Sequence, residues 1–408
     1  MILRARFIYP GTGPIIEEGI VEVEKSRIQR VGQTVEGGDE LLELDDAILL
    51  PGLINAHCHL ELSDLAGEIP PRDGFTRWLQ KIVARKHGRE HSDYERAALD
   101  GAEMLLRSGT TSVCDIVSWW PVLPKLHATK LRSWSCLEMI DFAGQRSWRE
   151  WVSSAEQWFE KLQNPRGGWG LSPHAPYTAT ADLYRAALDL ERRTKTMPLV
   201  LTTHICESKD EREMFEEGGG KMYEWLVRLG RDMYDCGGQS SLELLARNKL
   251  LTPRTLGVHL NGLDQAEIEL VARCGMSVAH CPGSHEFFGH PPFPMEQLLA
   301  RGVNVCVGTD SLASAPRGAT LDLFAELRRL RRAYPGLSAE TILRLATVNG
   351  ARALQAESRL GTLEPGKCAD LIALQLPAGT KRSDVLELVV TEPRPLALVM
   401  VNGEQIRR

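Results

Sequence analysis

Between about Leu50 and Leu360 the chain alternates apolar, strand-like runs with amphipathic helical stretches, and this alternation restricts the fold more than any other feature. Strands separated by helices run parallel, and eight of them close most simply into a barrel with the helices outside. The runs are Ile48–Ile54, Thr111–Ile116, Ser133–Met139, Gly168–Ser172, Val200–His204, Thr255–His259, Ser277–His280 and Val303–Gly308. Asp264 followed by Glu267 has the spacing of a reciprocal capping box and predicts a helix start. Such a barrel takes roughly 250 residues. The 408 residues therefore leave room for a second, smaller unit.

That unit is expected from the two ends together. Ile2–Ile8, Gly19–Val23, Arg27–Val31 and Glu40–Leu44 are short and β-rich, with Gly-rich turns between them. Leu371–Leu376, Val385–Val390 and Ala397–Val401 have the same texture, and Asn402-Gly403 reads as a hairpin turn. The expected organisation is an α/β protein. Residues 1–49 and 362–408 form the two parts of a small β-sandwich, and 50–361 form a (β/α)8 TIM barrel. Two long connections, Asp64–Arg77 and Ser208–Leu251, are suited to covering a site. The charged run Ser208–Glu217 reads as a solvated helix face.

The net charge of −6, with no basic block at either end, lacks the electrostatic footprint of a nucleic-acid binder. No run approaches the roughly eighteen apolar residues of a membrane span, and Met1–Pro10 lacks the pattern of a signal peptide. Nine singly scattered cysteines argue for reduced thiols rather than a disulfide framework. A cytoplasmic protein acting on a small molecule is expected, with no nucleic-acid or membrane partner and with self-association as a homo-oligomer, a dimer.

Active sites of such barrels lie where the strands end. Polar residues there form one set: His57 and His59, His174, His204 with Glu207, His259, His280 and Asp310. Three imidazoles and a carboxylate suit a divalent borderline metal, so we assign His57, His59, His204 and Asp310 to a metal ion. A metal at an open site lowers the pKa of bound water from about 16 towards 7, which implies hydrolysis. Glu207, three residues after a ligand, is placed to exchange protons with the substrate; a carboxylate that merely complements a helix N-terminus is the bland reading. His259 orients the hydroxide, polarises the leaving group or serves as a fifth ligand.

The stretches PGLINAHCHLELS, SPHAPYT, THICES, GVHL, AHCP, GVNVCVGTDS and GTLEPGKCADLIAL resemble the amidohydrolase superfamily, in its branch of cytosine, guanine and S-adenosylhomocysteine deaminases and triazine chlorohydrolases. The resemblance spans nearly the whole chain. It implies one zinc or iron(II) ion on the four residues named, since no lysine stands at the fourth strand end as in two-metal relatives. It also implies that Glu207 protonates the ring nitrogen, His259 positions hydroxide, Asp310 accepts its proton and His174 binds substrate. INAHCHLELS followed by GFTRWL is most similar to the aminodeoxyfutalosine deaminases of an alternative menaquinone route, and HAPYT is shared with S-adenosylhomocysteine and 5′-methylthioadenosine deaminases. The implied activity is removal of the exocyclic amine of an adenine-type nucleoside. Hydrolysis of a triazine, guanine, pterin or imidazolone is the alternative, and a non-catalytic binding protein a further one.

After AHCP the chain reads GSHEFFGH where relatives carry Ser-Asn. His285 and His290 line the pocket, bind a second ion or hydrogen-bond within the loop. Trp78, Trp119 and Trp120 are placed to sandwich a purine or to pack. Arg146 is placed to meet a substrate carboxylate such as a benzoate, or to pair at the surface. His280 and His285 complete the expected substrate-side set with His174, Trp78, Trp119 and Arg146.

Overall fold

The computed structural model describes residues 1–33, 41–142, 146–164, 166–194 and 198–407. Two eight-stranded sheets organise it. The second is all parallel and runs in sequence order through Leu53–Cys58, Thr110–Val117, Arg132–Met139, Gly168–Pro173, Leu199–Ile205, Thr255–His259, Ser277–His280 and Asn304–Val307. Its ends meet where Cys58 bridges Asp310, which brings the last strand beside the first. The expected barrel is therefore observed, with helices outside. Inside it, Ile54, Cys114, Cys136, Val200, Val258, Ala279 and Cys306 form one buried cluster. Residues of opposite parity, such as Val113, Leu137, Leu201 and Val278, pack in a separate cluster with helix residues.

The terminal strands form a mixed sheet in the order Glu404–Arg407, Leu396–Val401, Leu371–Gln375, Ala47–Pro51, Ile2–Ile8, Ile16–Glu24, Arg27–Gly32, with Leu41–Glu43 paired to Ile2–Ile8. Glu40, included in the expected fourth strand, lies outside the described residues. Asn402 and Gly403 have φ of 54° and 78°, as the hairpin turn requires.

Two expectations need correction. Ile48–Ile54 is not one strand: Ala47–Pro51 belongs to the terminal sheet and Leu53–Cys58 to the barrel, so the terminal sheet keeps the chain through Pro51. Gly52 turns the chain between them, and a Cβ there would lie 2.2 Å from Thr111 Oγ1. Val385–Val390 is not a strand but lies in the helix Val385–Thr391. Its buried residues Val385, Val389 and Val390 have helical rather than alternate spacing. The capping box at Asp264 is present, with Glu267 N donating to Asp264 Oδ1 at 2.8 Å and Asp264 N to Glu267 Oε2 at 2.9 Å.

Barrel and terminal sheet are fastened by one buried ion pair. Arg132 Nε and Nη2 donate to Asp370 Oδ2 and Oδ1 at 2.7 and 2.9 Å, with both side chains nearly sealed from solvent. Removing one partner of such a pair leaves an uncompensated buried charge. Asp370→Ala is expected to lower unfolding stability by about 3–5 kcal/mol. The double change Arg132→Met with Asp370→Leu is expected to lose much less, both read by denaturant unfolding.

Candidate metal centre and catalytic site

The first barrel strand brings His57 and His59 together through a slip in its pairing. Ile54 and Ala56 face the barrel interior, and the register with the second strand shifts between Asn55 and Cys58. The two imidazoles meet edge to face with centroids 4.9 Å apart. His204, four residues beyond inward-facing Val200 and so of the same parity, lies 4.9 Å from His57 and 5.5 Å from His59. Donor atoms of the three histidines all fall within 4.8 Å of one another. Asp310 adds Oδ1 at 3.6 Å from His57 Nε2 and 3.8 Å from His59 Nε2.

This donor set fits a divalent metal on two observations. Both ring nitrogens of His57 are buried without a hydrogen-bond partner. His204 Nδ1 contacts the His174 carbonyl at 2.8 Å, which fixes its tautomer and leaves Nε2 for an ion. Burial, together with His174 and His57, pulls the pKa of His204 down to about 3. Burial and the His57 ring likewise hold His59 well below the usual histidine range. Burial alone would raise Asp310, but the imidazoles of His57, His259 and His59 hold it well below the ordinary carboxylate range.

The same convergence brings in Glu207 and His259. His259 ends its strand at φ 75° and Leu260 follows at φ 50°, a left-handed turn that swings the imidazole towards His204, 5.4 Å away. Glu207 follows Cys206, at φ 49°, and its Oε1 lies 3.4 Å from His259 Nε2. Glu207, His259 and Asp310 form a second close group of donor atoms. Burial first, then the charges of Asp310 and Glu211, push the Glu207 carboxyl well above its ordinary range, which favours its proton-bearing form.

Glu211 escaped the sequence reading, which placed Ser208–Glu217 on a solvated face. It is 1% exposed. Its carboxylate accepts from Cys206 N at 3.0 Å, Glu207 N at 2.7 Å and Ser241 Oγ at 2.5 Å, clamping the turn that aims Glu207. The spacing Ser208-x-x-Glu211, with Ser208 Oγ accepting from Glu211 N, was the available signal.

The substrate-side expectations divide. His174 stands beside His204 at 4.9 Å, at the end of the fourth strand, with Nδ1 against Thr178 Oγ1 at 2.7 Å. Trp78 lies over the loop that follows Asp310, donating from Nε1 to the Ala313 carbonyl at 3.2 Å, and packs with Phe75 and Phe288. Trp119 does not join them. It stacks on Tyr94 and His91 in the outer helix layer. Trp120 packs on Trp151, and exposed Arg146 stacks on the same Trp151 at 4.6 Å and donates to Ser154 Oγ, away from the centre.

His280 also faces outward. It shares the parity of Val278, opposite to inward Ala279, and stacks on Phe293 with centroids 4.0 Å apart. His285 spends its Nε2 on the Pro291 carbonyl at 2.8 Å. His290 turns instead towards the cap, 5.0 Å from Phe288 and 5.9 Å from Phe75. The two long connections meet there: Thr76 N and Oγ1 donate to Asp210 Oδ2 at 2.9 and 2.6 Å.

Chemically, the arrangement suits a hydrolase that works through a divalent metal. The model of the amidohydrolase family matches residues 48–406, and the chain belongs to that family. It is 32% identical to a 5-methylthioadenosine/S-adenosylhomocysteine deaminase of Syntrophobacter fumaroxidans, over 82% of this chain and 73% of that protein. It is 30% identical to a 5′-deoxyadenosine deaminase of Methanothermobacter thermautotrophicus, over 88% of this chain and 81% of that one. The crystal structure of an adenosine deaminase from Xanthomonas campestris with bound zinc is similar at TM-score 0.81 and 26% identity, covering 99% of this chain and 92% of that one.

Because His59 and His204 stay neutral far below the usual pKa near 6.5, protons compete weakly for the site. Zinc affinity of metal-free protein, titrated against a chelating indicator, is expected to show a pH slope shallower than three protons per ion between about pH 6.5 and 4, because His204 takes up its proton only near pH 3. A slope of three would contradict the burial described.

Proposed function

We propose that the protein is a metal-dependent aminohydrolase that replaces the exocyclic amine of an adenine-type nucleoside with oxygen and releases ammonia. The observation that carries this reading is a buried Glu207 carboxyl held beside His259 and Asp310 at the rim of a three-histidine donor set. Relatives named as deaminases of 5-methylthioadenosine, S-adenosylhomocysteine and 5′-deoxyadenosine support the substrate class.

His57, His59, His204 and Asp310 would hold the ion, zinc or iron(II), which when bound supplies Lewis acidity that lowers the pKa of water. Glu207 donates its proton to the ring nitrogen next to the amine-bearing carbon, which makes that carbon electrophilic. His259 and Asp310 orient the attacking water and take up its proton. Ser314 Oγ donates to Asp310 Oδ2 at 3.0 Å and leaves Oδ1 for this work. That proton passes to the departing amine as its C–N bond breaks, the remaining hydroxyl proton returns to Glu207, and the carbonyl product and ammonia are left. His174 contacts the base. The cap of Phe75, Trp78, Phe288 and the helix Lys209–Glu217 excludes bulk water.

A panel of adenosine, 5′-methylthioadenosine, 5′-deoxyadenosine, S-adenosylhomocysteine, aminodeoxyfutalosine, guanine and a triazine, each followed by ammonia release, tests the reading. Turnover confined to guanine or the triazine would overturn it. Glu207→Gln is expected to reduce turnover about 10³-fold or more with the metal retained, by loss of general-acid catalysis. Asp310→Asn is expected to reduce it by orders of magnitude while circular dichroism stays native. Loss of metal from Glu207→Gln would make Glu207 a ligand instead.

A further inference from the structure

Alternation along the third barrel strand puts one more acid in the mouth. Trp134 and Cys136 face the interior, so Glu138, two residues on in Arg132–Met139, faces inward beside Ser172 of the strand Gly168–Pro173, which leads into His174. Glu138 is 6% exposed. Its charged neighbour is Lys86 Nζ at 3.6 Å, beyond hydrogen-bonding distance, and no donor among the described residues reaches its carboxylate. Lys86, from the last turn of the helix Phe75–His87, is held by Glu61 at 3.2 Å. Glu61 in turn accepts from Ser118 N at 3.1 Å, from Ser118 Oγ and from Trp119 N at 3.0 Å.

The three groups carry two negative charges against one positive, and of the two carboxylates Glu138 alone has acceptor capacity to spare. Lys86 is near enough to His59 and His174 to lower the basicity of both, which sets the group against the metal donors. The carboxylate is not fully sealed, and its unfilled acceptor sites are open to donors from a bound molecule.

We infer that Glu138 is a specificity-determining residue: it accepts hydrogen bonds from hydroxyl groups on the part of the substrate remote from the reacting carbon, and it turns away substrates that carry an anion there. This rests on the nucleoside reading above. A ribose offers two neighbouring hydroxyl donors to one carboxylate. An anion in the same place would meet Glu138 without a free cation among the described residues to offset it. Lys86 is shared by two carboxylates, and Arg231 is bound through two nitrogens to Asp235 at 2.9 and 2.8 Å. Within the proposed class this favours neutral nucleosides such as adenosine and 5′-methylthioadenosine over one bearing a benzoate.

The test compares adenosine, 2′,3′-dideoxyadenosine and adenosine-5′-carboxylate on the metal-loaded wild type, Glu138→Gln and Glu138→Asp, by kcat/KM and by equilibrium binding. Wild type is expected to prefer adenosine to each of the others on the order of 100-fold, the worth of two charge-assisted hydrogen bonds. Glu138→Gln is expected to shrink both preferences below about tenfold, chiefly through KM, and Glu138→Asp to restore part, with metal content and melting temperature unchanged. Preferences that persist in Glu138→Gln, or that are missing from wild type, would overturn the inference. If wild type releases ammonia from no adenine nucleoside, the deaminase reading fails. Glu138 is then judged on binding alone: a hydroxyl preference lost in Glu138→Gln sustains it, and equal or no binding overturns it.

Discussion

The closure of the barrel and the assembly of its chemistry are one event in this protein. Thr309 N and Asp310 N both donate to the His57 carbonyl at 3.1 Å, and the Asn55 side chain bonds Thr309 through both its oxygen and its nitrogen. These contacts join the first strand to the eighth and set Asp310 facing the two histidines of the opposite edge. Gly308 makes the approach possible, since a Cβ there would lie 2.7 Å from the His57 carbonyl oxygen. A barrel that failed to close would have neither its seam nor the carboxylate of its candidate donor set in place.

What holds the ligands also explains the strain nearby. Cys206, His259 and Asp310 all adopt left-handed φ, uncommon for residues with a side chain. Each stands where a strand ends and its side chain, or the one after it, must turn into the mouth. Such conformations persist only when the surroundings over-determine them. Here the Glu211 carboxylate does so for the Cys206–Glu207 turn, and the Asn261 side chain donates to the Glu207 carbonyl at 2.9 Å.

Strand positions and the convergence of His and Asp at the strand ends were legible because each is a local signal: an apolar run of strand length ending in His or Asp. Glu138 carries the same signal, two residues beyond inward Cys136, and was passed over because a strand-end glutamate without a neighbouring histidine reads as an ordinary polar residue. The failures have physical causes. Val385–Thr391 is a short apolar run whose type is decided by what it packs against, alternation points His280 outward, and Trp119 and Arg146 lie beyond their strand ends and pack on Tyr94 and Trp151. The Glu61–Lys86–Glu138 group joins a strand end, a helix and another strand, a juxtaposition visible only in three dimensions. The division of Ile48–Ile54 between two sheets depends on Gly52, whose need for closeness to Thr111 is likewise tertiary.

The order in which the chain is made gives the terminal sheet a further significance. Ala47–Pro51 pairs on one side with Ile2–Ile8 and on the other with Leu371–Gln375. During synthesis its second edge therefore stays open until almost the whole barrel has emerged. An unpaired strand edge of buried, apolar residues is a template for unwanted pairing between nascent chains. Leu371–Gln375 is what closes that edge, and a fragment that stops short of Leu371 would be expected to aggregate even with every barrel strand present.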